Sequence, residues 1–142
     1  MIALLFSLAG CGGDSRPLQT AMDGIEFPAS WETAKTVVKS GESGCRIAIA
    51  DPYCPSVTRY FVVDGDLPSL LEAAKGAIVA QGFGDVQELT PTCDRDSTGA
   101  LCSLDAAKGD IQIEVDLYPP GKDVDALGLA VPDHATVRII VH

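Results

Sequence analysis

The sequence predicts an α+β fold, a single antiparallel β-sheet of four to six strands packed against one or two helices. Three observations predict it. Leu67, Leu70, Leu71, Ala74, Ala77 and Ile78 recur at helical spacing, the mark of an amphipathic core helix. Ile111, Ile113, Val115 and Leu117 alternate with Gln112, Glu114, Asp116 and Tyr118, as a strand with one wet face requires. The elements also follow one another as helix, strand, helix, strand, hairpin, strand, which favours one antiparallel sheet over a regular βα alternation.

Taken in order, residues 1–10 form an apolar leader, 11–20 a flexible tether, and 21–142 one domain. Phe27-Pro28 and Ser30 open a short helix expected to run to Ser40, with Trp31, Ala34, Val37 and Val38 on one face and Gly41 as its stop. Arg46–Ala50 is expected as a short strand and Val57–Val63 as a stronger one, rich in β-branched and aromatic residues. Asp64-Gly65-Asp66 turns the chain into the long helix, with Pro68 in its first turn. Gly82 followed by Phe83 has the pattern of a left-handed cap and its hydrophobic contact. Val86–Thr90 reads as a strand. Leu101–Ala107 and Ile111–Tyr118 read as a hairpin turning at Lys108-Gly109, which would set Ala106 opposite Ile111, Leu104 opposite Ile113 and Cys102 opposite Val115. Tyr118-Pro119-Pro120-Gly121 ends that strand, and after a loop carrying Asp123, Asp125 and Pro132 the chain returns as a last strand from Thr136 to Val141.

With 142 residues, 46% hydrophobic and only 6% aromatic, the core must be built mainly from Ala, Val, Leu and Ile. Ten Lys and Arg stand against twenty Asp and Glu, a net charge of −10. Phosphate backbones would be repelled, and no basic patch with interleaved aromatics exists, so nucleic acid is excluded as a partner. The scattered carboxylates read first as a solvated acidic surface, whose field would attract a cationic ligand or partner.

Met1–Gly10 reads MIALLFSLAG, too short to span a bilayer as a helix but long enough for the hydrophobic region of an export signal. Leu8-Ala9-Gly10-Cys11 resembles the bacterial lipobox at all four of its positions, and Gly-Gly-Asp-Ser-Arg-Pro follows as tether chemistry. The resemblance implies a signal peptide over residues 1–10, diacylglycerol on the sulfur of Cys11, cleavage before it, and a palmitate-type acyl anchor on the extracytoplasmic face of a membrane. A multiply acylated cysteine anchors stably where a single chain does not. Export signals usually begin with Lys or Arg and none precedes Cys11, so the natural start is expected upstream. The Ala-, Gly-, Val- and Asp-rich composition and paired cysteines are also similar to small lipoproteins of actinobacteria.

An oxidising location turns the four remaining cysteines, Cys45, Cys54, Cys93 and Cys102, into two expected disulfides. Three connectivities are open. The equal spacing favours Cys45 with Cys54 and Cys93 with Cys102, each loop constraining the unfolded chain by roughly 2 to 3 kcal/mol. The spacing fits neither a four-cysteine zinc site nor a redox C-x-x-C pair.

The most specific ligand pattern is Asp94, Asp96, Thr98, the Ala100 carbonyl and Asp105, which resembles an EF-hand calcium loop with Gly99 at its sharp turn. An Asp at the twelfth position, strand-like flanks and a Cys93 to Cys102 bridge argue against it, and an ordinary polar hairpin tip explains the same residues. No nucleophile elbow, zinc-protease, phosphate-loop or dinucleotide motif is present, so no catalytic residue is assigned and no cofactor is expected. His134 and His142, the only histidines, read as solvated. Glu114 and Asp116, two apart on the polar face of one strand, would repel rather than share a proton unless buried.

The expectation is therefore a lipid-anchored, non-enzymatic envelope lipoprotein that binds an unknown envelope protein or small ligand. An envelope hydrolase without a recognisable motif and a calcium-stabilised surface module are the alternatives. A pocket of converging titratable groups with perturbed pKa would move the hydrolase ahead.

Overall fold

The computed structural model describes residues 14–41, 54–88 and 102–142. Two helices cover one face of a six-stranded sheet in which every neighbouring pair is antiparallel, so the α+β class holds. Among the described residues no helix is long and apolar enough to cross a membrane.

The helix α1 (Arg16–Asp23) begins inside the stretch expected as tether, with a proline in its first turn. Leu18 and Met22, four residues apart, lie on one face and enter the core together with Ile25. Two apolar positions in a polar octapeptide carry too little periodicity to stand out in sequence.

β1 (Glu32–Lys39) replaces the helix expected over 30–40. Thr33, Thr36, Val37 and Val38 are β-branched, and strand propensity outweighs a helical spacing that rests on four residues. The strand lies at the sheet edge and is exposed along its whole length, so it shows no alternation that would have betrayed it. Trp31, just before it, stacks on Phe27 at 5.7 Å and meets Phe61 edge-on at 5.4 Å, the core role expected of it.

β2 (Ser56–Val63) matches the predicted strand, and Arg46–Ala50 lies outside the described residues. α2 (Leu67–Ala80) also matches: Leu70, Leu71, Ala74 and Ile78 are buried against the sheet. The Asp66 carboxylate caps it, accepting from the Ser69 amide at 3.1 Å and the Ser69 hydroxyl at 2.9 Å. Asp66→Ala is expected to lower the urea midpoint of unfolding and Asp66→Asn to lower it much less. At the other end Gly82 takes φ +98°. Its amide donates to Val79 O at 3.0 Å and that of Phe83 to Ile78 O at 3.1 Å, the paired bonds of a Schellman cap.

β3 (Gly84–Glu88) follows at the opposite sheet edge, with an irregular register between Gly84 and Gln87 where Asp85 takes φ +52°. β4 (Cys102–Lys108) and β5 (Ile111–Tyr118) form the predicted hairpin with its turn moved by one residue, at Gly109-Asp110. Lys108 faces Ile111, so Ala106 faces Ile113, Leu104 faces Val115 and Cys102 faces Leu117, each two residues further along β5 than expected. Gly109 at φ +60° fills the first central position, which glycine favours in a type II′ turn. A shift of two preserves which side chains face the core.

A short 3₁₀ turn (Val124–Ala126) interrupts the next loop before β6 (Ala135–Val141). The sheet order is β1-β2-β6-β5-β4-β3, which places the last strand at the centre. Ala135, Val137, Ile139 and Val141 are fully buried under the helices, beside Ile113, Val115 and Leu117 of β5.

Cys54 and Cys102 are buried and both are disulfide-bonded. The register excludes a bond between them. Cys102 is level with Leu117, Val137 and Phe61 in turn, so three inter-strand spacings, about 14 Å, separate it from β2, and Cys54 lies beyond the far end of that strand. Disulfide-linked Cα atoms lie within about 7 Å. One of the three connectivities is thereby removed; Cys45 and Cys93, as well as Cys11, lie outside the described residues.

Candidate functional site

The helices cover the sheet face carrying Leu104, Val115, Val137 and Phe61. The opposite face presents Ser103 and Asp105 from β4, Gln112, Glu114, Asp116 and Tyr118 from β5, and Thr136, Arg138 and His142 on or after β6. Its β5 row was expected to be wet, yet Asp116 and Tyr118 are buried. The cause is the loop after β5. Val124, with Leu127 and Leu129 beside it, packs over Tyr60 and Tyr118 and forms a second small apolar cluster.

Beneath that loop lies an ion-pair network. Arg138 donates from Nη2 to Asp116 Oδ2 at 2.6 Å and from Nε to the same oxygen at 3.1 Å, while Nη1 reaches both Asp125 oxygens at 3.0 Å. Ser103 donates to Asp116 Oδ1 at 2.8 Å, and Tyr60 donates to Asp125 Oδ2 at 2.6 Å. Asp125 takes φ +53°, a conformation that Asp tolerates better than most residues, and these bonds to Tyr60 and Arg138 hold it there. Burial pushes the Tyr60 hydroxyl pKa up, aided by its bond to Asp125. Burial would lower the Arg138 pKa, but its bonds to Asp116 and Asp125 outweigh that and raise it. The network locks the loop to the sheet.

The other end of the face is concave, and none of the described residues covers it. A cavity of about 440 Å³, within the usual range for small-ligand sites, is lined by Asp85, Gln87, Asp105, Ala107, Gln112, Glu114 and His142 and bordered by Ala106 and Ile113, whose side chains belong to the core on the helical face. Asp105 and Glu114 are direct cross-strand partners, which sets their Cβ atoms about 4.5 to 5.5 Å apart on the same face. Burial raises the Glu114 pKa to about 7, with the neighbouring Asp116 charge and a hydrogen bond to Asp116 adding to it. Burial and the Asp116 charge raise the Asp105 pKa as well. The condition attached to the Glu114 and Asp116 pair is met: Asp116 is 1% exposed, and the pair favours a retained proton over two charges.

His142 was expected to be solvated and is instead 8% exposed, its backbone paired both ways with Gln112 at 2.7 and 2.9 Å. Burial lowers its imidazole pKa, and Nδ1 is buried without a hydrogen-bond partner, as is Asp105 Oδ1. His134 lies away from this group, half-buried, with Nδ1 3.2 Å from Pro132 O.

Of the calcium candidates, Asp105 stands on β4 facing Glu114, and Asp94, Asp96 and Thr98 lie outside the described residues. Among the described residues no three His, Cys, Asp or Glu side chains are grouped to hold a metal ion. The residues that sequence reasoning missed are Arg138, Asp125 and Tyr60. Arg138 carried a signal, being the one charged side chain in the apolar run Ala135–Val141. Asp125 carried none, because its partners are 65 and 13 residues away. No family model matches the chain, and no curated protein or solved structure is matched by it.

Proposed function

We propose that the chain is a lipid-anchored, extracytoplasmic binding module without enzymatic activity, and that it receives its ligand on the concave end of the sheet face that carries Asp105 and Glu114. The observation that carries the binding role is the acidic concavity built by Asp105, Glu114 and His142 from three adjacent strands, a rigid platform beside a loop pinned by Arg138. The location rests on Leu8-Ala9-Gly10-Cys11, and disulfide-bonded Cys54 and Cys102 in an acidic domain accord with it.

Two measurements in cells test this reading. Mass spectrometry of the membrane fraction should find lipid on Cys11, with Cys11→Ser releasing the protein into the soluble fraction; an unmodified Cys11 would remove the anchor. Photo-crosslinkers at Gln87 and Gln112, both exposed at the cavity, should form adducts that a crosslinker at Val79 on the helical face does not. Adducts at Val79 alone, or at all three sites alike, would place binding elsewhere.

One observation favours the hydrolase as a second reading: a pocket with perturbed carboxylates is what would move it ahead, and Glu114 near 7 has the pKa of a general acid. Binding is preferred because Asp105 and Glu114 point the same way from neighbouring strands instead of flanking a substrate from opposite sides, and burial with repulsion from Asp116 accounts for their shifts. Hydrolysis of any ester, amide or glycoside in a substrate panel, lost in Glu114→Gln, would reverse the preference.

A further inference from the structure

We propose that the concavity binds a primary ammonium group, an inference that rests on the binding role just given. The unmet hydrogen-bonding capacity of the site consists of acceptors. Asp105 Oδ1 is buried and unpartnered, Glu114 stands opposite it across the strand pair, and His142 Nδ1 is buried and unpartnered in a side chain more than nine-tenths buried. A neutral imidazole protonated on Nε2 leaves Nδ1 as an acceptor, and burial favours the neutral ring. An ammonium supplies three N–H donors and the charge that relieves repulsion between the carboxylates. The described residues offer no three-ligand metal group, and the cavity is far larger than one ion. Of the apolar residues bordering the cavity, Ala107 shares the face of Asp105, and Gln87 and Gln112 stand at the rim. The ammonium belongs either to a free alkylamine or to a lysine side chain of a partner protein; both present the same chemistry here.

The groups that face Glu114 are Asp85 from β3, Asp105 from β4, Asp116 from β5, and Arg138 and His142 from β6. Arg138 is engaged by Asp116 and Asp125, and its charge offsets only part of the effect of burial and the neighbouring carboxylates on Glu114. Binding requires Glu114 to ionise, and so it should tighten as pH rises through about 7.

The experiment is NMR titration of the full chain at about pH 8 with n-butylamine, with Nα-acetyl-lysine amide and with a lysine-containing peptide. The uncharged Nε-acetyl derivative, potassium and tetramethylammonium serve as controls. The expected result is saturable shifts at Asp105, Gln112, Glu114 and His142 with the three amines and none with the controls. Glu114→Gln and His142→Ala should weaken binding by about tenfold or more, and Glu72→Gln on the helical face should not. Glu114→Gln removes a carboxylate that opposes folding at this pH, so lost binding there reports the site and not unfolding. Similar affinities for butylamine and the peptide assign a free amine, whereas a peptide preference of about tenfold assigns a protein lysine. Saturation by tetramethylammonium or potassium to the same degree, or no amine binding, overturns the proposal. If crosslinking at Gln87 and Gln112 still succeeds in that case, the binding face stands and the ligand chemistry falls.

Discussion

Arg138→Met is expected to cost about 3 to 5 kcal/mol of stability, because it leaves the Asp116 carboxylate buried with its countercharge gone. Asp116 is 1% exposed and would retain the Ser103 hydroxyl and its bond to Glu114, neither of which carries a positive charge. Asp125 would keep only Tyr60 while holding a left-handed backbone, so the loop carrying Val124 should loosen as well. Urea unfolding at neutral pH checks the cost, and hydrogen exchange at Val124 and Leu127 checks the loosening. Asp116→Asn combined with Arg138→Met should be markedly less damaging than the sum of the two single changes, since it removes the uncompensated charge. A cost below about 1 kcal/mol would reduce the pair to the value of an exposed ion pair.

Glu114 gives the second large effect, with a sign opposite to that of a stabilising carboxylate. Its pKa rises on folding from 4.5 to about 7, so between these values the folded state binds more protons than the unfolded one. Stability is therefore fully present below about pH 4.5 and is lost as pH rises through 7. At full burial the shift would be worth about 3 kcal/mol, and the half-exposed position of Glu114 reduces this to about 1 to 2 kcal/mol. Asp105 acts in the same direction, whereas His142, held neutral by burial, makes stability fall as pH drops below 6.5. Glu114→Gln should flatten the loss on the alkaline side and raise stability at pH 8; His142→Gln should flatten only the acidic side. Thermal melts from pH 4.5 to 8.5 separate the two. An unchanged slope in Glu114→Gln would show that its carboxyl is solvated like any surface glutamate.

The parts of the fold legible in the sequence are those where one periodicity coincides with burial. The helix over 67–80 is amphipathic and capped at both ends by its own residues, and Ile111–Leu117 alternates because one side faces the helices. The strand over 32–39 was not legible, since an edge strand exposed on both faces has no burial pattern to read, and its three apolar residues, with Trp31 just before it, happen to fall at helical spacing. The hairpin register slipped because Lys108-Gly109 and Gly109-Asp110 are both acceptable turns, and only the one with Gly109 at its first central position fits the ladder. At the site, Glu114, Asp116, Asp105 and His142 could each be singled out from sequence. Their conjunction could not, because β6 enters the sheet centre from the end of the chain and brings Arg138 and His142 to strands that precede it. Position in the sheet order, which local pattern does not encode, turned a histidine expected in water into a buried one.

The central claim is that Asp105 and Glu114 form a crowded, half-buried carboxylate pair on the sheet face opposite the helices. Its most direct measurement is a ¹³C NMR titration of the side-chain carboxyl groups, following Glu114 Cδ and Asp105 Cγ. A Glu114 midpoint near 7 and an Asp105 midpoint above 3.8 are expected. A Glu114 midpoint at 4.5, the value of a solvated glutamate, would contradict the claim.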